Sequence, residues 1–298
     1  MNCGTILSMN LQKSDQTTIE NERKLVTKLV NCTNEDIELN TVGWTSRVYI
    51  VDKGTYVFKF PRTEKVKKEY EQEIRILKLL ENIGCSIQIP KIRWVGDKYD
   101  YLGYEGVAGQ TIDLVIDRLS PTEKTNIGQQ VGKFLIQLHA VELVGAPTIT
   151  IQDEILQFQK SYQAAALAFA DRFTSDEQAK LKTLVYETMP ATISELGSDL
   201  ALCHGDLGYW NLILNDQNKV GAIDFGDIGY YDKSKDFLGM EDKEMLNAAL
   251  AVYGDNDILR QKIAFRQRLV PLLDLAYFIE NNNEQRTAQT IEKIRAAL

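Results

Sequence analysis

The segment Leu202-Cys203-His204-Gly205-Asp206-Leu207-Gly208-Tyr209-Trp210-Asn211-Leu212-Ile213-Leu214 sets three polar side chains, His204, Asp206 and Asn211, between two apolar runs. A short strand pattern follows, Lys219-Val220-Gly221-Ala222-Ile223, and it ends on Asp224-Phe225-Gly226-Asp227. A carboxylate five residues before an amide, then a second carboxylate at a strand end, is what phosphoryl transfer requires. That reaction leaves a protein little covalent work, so positioning and charge neutralisation dominate. One carboxylate orients the attacking hydroxyl and accepts its proton. The amide and the other carboxylate offer the hard oxygens that Mg²⁺ prefers.

On the N-terminal side of this segment the chain is rich in β patterns. Thr45 to Val51 and Thr55 to Phe60 flank Asp52-Lys53-Gly54, which predicts a hairpin closed at Pro61. Ile74, Ile76, Leu77, Leu79 and Leu80 recur at helical spacing and predict a helix from Thr63 to Asn82. Lys91 to Val95 and Asp100 to Glu105 read as two further strands, and Gly106-Val107-Ala108-Gly109 as a break. Beyond it helices are expected over Pro121–Val141, Ile151–Phe173, Ser175–Met189, Glu241–Tyr253, Asn256–Asn281 and Glu284–Leu298. The expectation is an α+β fold of two lobes, a small β-rich one over 1–105 and a larger helical one over 106–298. Residues 1–20 are expected to form a loose extension, given the polar run Lys13-Ser14-Asp15-Gln16.

H-G-D-x4-N followed by I-D-F-G-D resembles the catalytic and metal loops of the kinase superfamily, in its aminoglycoside phosphotransferase branch. Gly205 stands where protein kinases carry Arg. The resemblance implies a bilobal protein-kinase-like fold, with Asp206 as catalytic base, Asn211 and Asp224 as Mg²⁺ ligands, and His204 as a brace for the loop. It also implies a nucleotide-gripping lysine, met by Lys59, and a partner for it on the next helix, Glu73, with Glu71 second. The loop over the phosphates corresponds to Val42–Arg47, where Ser46 is a candidate donor, and the hinge beside the purine to Tyr101–Gly109, with Tyr104. Leu135-Ile136-Gln137-Leu138-His139 resembles a structural helix of the same branch. Asp232 and Asp236 match its D-P-x-x-D-F element, with Lys233 in place of Pro, and are expected to cap and anchor helices. In layout the chain is most like the enzymes that phosphorylate aminoglycosides at the 2″ position.

The net charge of −8 argues against nucleic acid and fits a small, cationic, hydroxylated acceptor, for which Glu241, Asp242 and Glu244 are candidates. The donor is expected to be ATP or GTP. Macrolide and metabolite kinases are the alternative, with Tyr162, Phe169, Tyr277 and Phe278 as a candidate apolar lining. A binding module without turnover is disfavoured by the intact Lys59, Asp206, Asn211 and Asp224. No run approaches the roughly 20 apolar residues of a membrane span. The start lacks a secretory pattern, so a cytoplasmic monomer is expected. Four scattered cysteines form no CxxC pair, and Cys203 reads as a packing residue.

Overall fold

The computed structural model describes residues 13–40, 45–169, 172–280 and 283–298. The chain forms two compact units, residues 1–83 with 89–108, and residues 84–88 with 109–298.

The first unit contains α1 (Lys13–Val30), β1 (Ile37–Asn40), β2 (Ser46–Val51), β3 (Tyr56–Pro61), α2 (Glu64–Ile83), β4 (Lys91–Val95) and β5 (Leu102–Glu105). The strands make one antiparallel sheet in the order β1-β2-β3-β5-β4. The β2–β3 turn runs through left-handed backbone at Asp52, Lys53 and Gly54, whose φ values are 47°, 54° and 99°. Strand alternation sends Tyr56, Phe58 and Phe60 to one face, where they pack with Tyr49 and with Val26 of α1. Val57 lies on the other face against Val66, Tyr70 and Ile74 of α2, and Lys59 shares its parity.

Helix α1 corrects the expectation for residues 13–20, while residues 1–12 lie outside the described ones. Its composition is highly polar, but one side is bound to the sheet. Val26 is buried, Arg47 forks onto Glu22, and the Tyr49 hydroxyl donates to Glu22 at 2.8 Å.

The second unit contains β6 (Gln110–Thr111), α3 (Pro121–His139), α4 (Ile151–Phe169), α5 (Ser175–Thr183), α6 (Met189–Leu196), β7 (Leu200–Cys203), β8 (Leu212–Leu214), β9 (Val220–Ala222), β10 (Gly229–Asp232), α7 (Lys243–Tyr253), α8 (Asp257–Glu280) and α9 (Glu284–Ala297). Ser120 and Glu123 close a reciprocal capping box at the start of α3, with Pro121 in the first turn. Gly128 and Gly132 let α3 press against α7, since a Cβ at Gly132 would meet the Ala249 carbonyl at 2.5 Å. Helices α4, α5, α6, α8 and α9 bury one apolar core around Phe158, Val185, Met189, Leu269 and Ile294. Two small antiparallel sheets, β7 with β10 and β6-β8-β9, interrupt the helices.

The helix expected over Ser175–Met189 continues instead through a wide π turn at Leu184–Thr188 into α6. Pro190 lies in the first turn of α6, directly after the wide turn. Helix α7 begins two residues later than expected because Asp242 is its cap, not a member.

Candidate active site

Strand β7 is apolar, with Ala201, Leu202 and Cys203 all buried, and it delivers His204 to the start of a tight loop. Gly205 follows at φ +87°, and a Cβ there would collide with the Asp227 carbonyl. Glycine is required on both counts. The loop is held from beneath by Asp236, which is fully buried. Its carboxylate accepts the N–H of His204 at 2.8 Å and of Gly205 at 3.0 Å. His139 of α3 adds a third bond from Nε2 at 3.1 Å, and its Nδ1 lies 2.7 Å from the Tyr253 hydroxyl. Burial works against the Asp236 charge, but the His139 hydrogen bond and charge, with His204 and the Gly205 N–H, hold its pKa below the ordinary value.

His204 is itself buried. Its Nε2 donates to the Ile223 carbonyl at 3.0 Å, which leaves Nδ1 to accept the Asp206 N–H at 3.4 Å. Asp236 thus anchors the His204–Asp206 loop, in place of the helix-anchoring role expected for it. Asp232 does cap a turn, accepting from the Ser234 N–H, and it also pairs with Lys262 at 2.7 Å.

Asp206 differs from Asp236 in every respect. It is partly exposed, and burial raises its pKa, with Trp210 and His204 opposing and Asp227 adding to the rise. Two donors reach the same oxygen, Oδ2: Trp210 Nε1 at 3.1 Å and Asn211 Nδ2 at 2.9 Å. Asn211 Nδ2 also donates to the Asp206 carbonyl at 2.8 Å. Both amide hydrogens of Asn211 are therefore committed, and the Asn211 carbonyl accepts the Ile223 N–H at 3.0 Å, tying the loop to the residue before Asp224. Asp224 is exposed and left-handed, at φ 64° and ψ 69°. For a non-glycine residue that conformation costs about 1–2 kcal/mol and is kept where surrounding structure imposes it.

Asp206 opens on a pocket of about 620 Å³, shared with Gly205, Asp227, Tyr231 and Lys235 on one side and Asp153, Gln157 and Lys160 of α4 on the other. Asp274 of α8 escaped notice in the sequence because it lies inside an ordinary helical pattern. Asp274 is exposed at its surface, and partial desolvation and the charges of Asp206 and Glu241 raise its pKa while Lys293 lowers it.

The acidic candidates after the metal loop divide. Asp242 caps α7 by accepting the Glu244 and Met245 N–H groups and pairs with Lys124 at 2.8 Å, so its carboxylate is engaged in structure. Glu244 accepts from Thr125, and the exposed Glu241 pairs with Lys293 at 3.2 Å. Cys203 is buried, and burial pushes its thiol pKa well up. Tyr162 stacks edge-on against Tyr186 at 5.6 Å and borders the helical core, while the Phe169 side chain lies outside the described residues.

In the first unit, Lys59 Nζ lies 3.0 and 3.3 Å from the two carboxylate oxygens of Glu73. Both residues are buried, whereas Glu71 is exposed. Ser46 departs from its expected role as a phosphate donor. It is 3% exposed and its hydroxyl lies 2.6 Å from that of Tyr70, which engages it in the interior. Residues 42–44 of the same loop lie outside the described ones. The Tyr104 side chain is buried in the α2-side core, with its backbone in register with Val57.

The sequence model of the phosphotransferase enzyme family matches residues 36–252. Among solved structures, the GDP and kanamycin complex of APH(2″)-IIIa is similar with a TM-score of 0.77 at 20% identity, covering 94% of this chain and 98% of that one. The macrolide 2′-phosphotransferase MphH from Brachybacterium faecium is similar at 0.64 and 15% identity, over 91% and 98% of the two chains. The choline kinase LicA from Streptococcus pneumoniae is similar at 0.60 and 14% identity, over 94% and 99%. The α+β fold is that of the aminoglycoside 2″-phosphotransferase structures.

Proposed function

The chain belongs to the phosphotransferase enzyme family, and from that premise we propose that it moves the γ-phosphate of ATP or GTP, with Mg²⁺, onto a hydroxyl of an aminoglycoside antibiotic. The observation that carries the phosphoryl-transfer reading is the state of Asp206: a carboxylate of raised pKa, facing a pocket, with its donors gathered on Oδ2. Oδ1 is then the oxygen that takes the acceptor's hydroxyl proton, and the raised pKa improves it as a base. Trp210 and Asn211 fix the carboxylate plane, and His204 and Asp236 fix the backbone beneath it.

The donor set fits Mg²⁺. Both Asn211 amide hydrogens are committed to Asp206, which leaves Oδ1 as its ligand atom, and Asp224 presents an exposed carboxylate. The ion would neutralise charge developing on the transferred group. Lys59, oriented by Glu73, is the group assigned to the donor phosphates.

Two observations support an aminoglycoside acceptor: the fold likeness, and the carboxylates of Asp206 and Glu241, whose charges both act on a third, Asp274. Such a group of acids favours ammonium-bearing ligands. Lys160 and Lys235 in the same pocket favour the second reading, a kinase for a smaller metabolite. We assign the enzyme to the cytoplasm, as a monomer; among the described residues no helix is long and apolar enough to cross a membrane. Transfer of labelled γ-phosphate from ATP and GTP to aminoglycosides, macrolides and small hydroxylated metabolites tests the assignment. Modification of an aminoglycoside, with resistance in a sensitive host, is expected. Transfer only to a metabolite contradicts the antibiotic assignment and keeps the phosphotransferase one.

A further inference from the structure

Behind the Asp206 pocket lies a second, smaller cavity of about 50 Å³, room for a few waters or one carboxylate. Gln157, Tyr231 and Lys235 line both spaces. Glu154, Ser198, Asp232 and Arg266 add polar groups to the wall of the inner one alone, and its charged ones are Glu154, Asp232, Arg266 and Lys235.

The hydrogen-bonding capacity of that wall is lopsided. Both Glu154 oxygens accept from Arg266, at 2.7 Å from Nε and 2.9 Å from Nη2. Asp232 is equally engaged, by the Ser234 hydroxyl, by Lys262 at 2.7 Å and by the Asp199 N–H at 2.9 Å. The cations are not matched in return. The Arg266 side chain is 2% exposed, and its Nη1 has no hydrogen-bond partner. The Asp232 oxygen at 3.8 Å is beyond hydrogen-bond reach. Lys235 Nζ has no hydrogen-bond or ion-pair partner among the described residues and lies 6.0 Å from the centroid of the Tyr231 ring. The two cations that line the cavity, Lys235 and Arg266, thus keep unused donors, while its two carboxylates are already satisfied. A buried guanidinium donor without an acceptor is costly, and neither cation can serve as an acceptor for the other.

We infer that this cavity is a binding site for a small carboxylate, held by Arg266 Nη1 and Lys235 directly behind the acceptor pocket. Arginine suits a planar carboxylate, and Lys235, facing both spaces, would join the two. The carboxylate arrives either as a free small acid or as part of the acceptor. Only this second source rests on the phosphotransferase reading.

The test is thermal melting of the full chain with sodium acetate against sodium chloride at equal ionic strength, without nucleotide. Saturating acetate is expected to raise the melting temperature of the wild type by about 2–4 °C. Lys235→Met, at a half-buried position whose loss leaves no partner behind, is expected to remove the shift. Arg266→Lys, which keeps the charge and loses the fork, is expected to reduce it. No excess of acetate over chloride would overturn the inference and leave the cavity to water; an undiminished shift in Lys235→Met would overturn it too, by placing acetate elsewhere. The source is then read from turnover of L-homoserine against 3-aminopropan-1-ol, which lacks only the carboxylate. A preference of about tenfold or more for homoserine, lost in Lys235→Met, assigns the carboxylate to the acceptor. Equal turnover, or none, with the acetate shift intact assigns it to a free acid. The melting arm needs no catalysis, so its failure is distinct from failure of the phosphotransferase reading.

Discussion

Asp236 and Asp206 sit on opposite sides of one loop and are treated oppositely. Asp236 is fully buried, accepts bonds from His204, Gly205 and His139, and has a lowered pKa. Asp206 is partly exposed, has donors on one oxygen only, and has a raised pKa. The sign for stability follows. Asp236 contributes stability that is present above its unfolded pKa and lost as pH falls through its lower folded value. Asp206 is the reverse: its charge costs stability at neutral pH, and protonation below its raised pKa relieves that cost. The underside of the loop is stabilised so that the upper side can hold a carboxylate in a state unfavourable for folding and favourable for chemistry.

Substitutions can break this contrast at either end. Asp206→Asn is expected to lower turnover by about 10²–10⁴-fold while the thermal shift with Mg²⁺-nucleotide persists and the unliganded protein melts no lower. Lys59→Met is expected to lower turnover by about 10²-fold, as loss of a phosphate-directed charge does, and to strand Glu73 in the interior. Asp236→Asn is expected to cost about 3 kcal/mol in denaturant unfolding, since it removes a buried charge that satisfies three donors. A stability change below about 1 kcal/mol there would show that the loop does not depend on Asp236. Smallest of all, Glu71→Gln on the exposed side of α2 is expected to change stability by less than about 0.5 kcal/mol and to leave turnover unchanged, in contrast to Glu73→Gln.

The same contrast explains what could be read from the sequence. Asp206, Asn211 and Asp224 lie close in the chain, between apolar strands, so local spacing carried them. Lys59 and Glu73 are legible only through the family resemblance, and the structure pairs them at 3.0 Å. The rest depends on contacts distant in sequence. Asp236 reaches the loop from 32 residues away, and His139 reaches Asp236 across 97. Ser46 meets the Tyr70 hydroxyl, a partner that nothing local in the sequence reveals. Asp242 carries a capping signal, and the structure uses it as the cap of α7 and as the partner of Lys124. Helix α1 docks through Leu25, Val26, Leu29 and Val30 in its second half, together with the Glu22–Arg47–Tyr49 contact, so the polar stretch 13–20 carries little apolar signal of its own.

The pH dependence of kcat/KM for phosphate transfer tests most directly whether burial above a satisfied anchor makes Asp206 the base. The rate is expected to rise with pH along an acid limb whose midpoint lies above the ordinary aspartate value of about 3.9, with that limb absent from the residual activity of Asp206→Asn. A limb that persists unchanged in Asp206→Asn, or a midpoint at the ordinary aspartate value, would contradict the account.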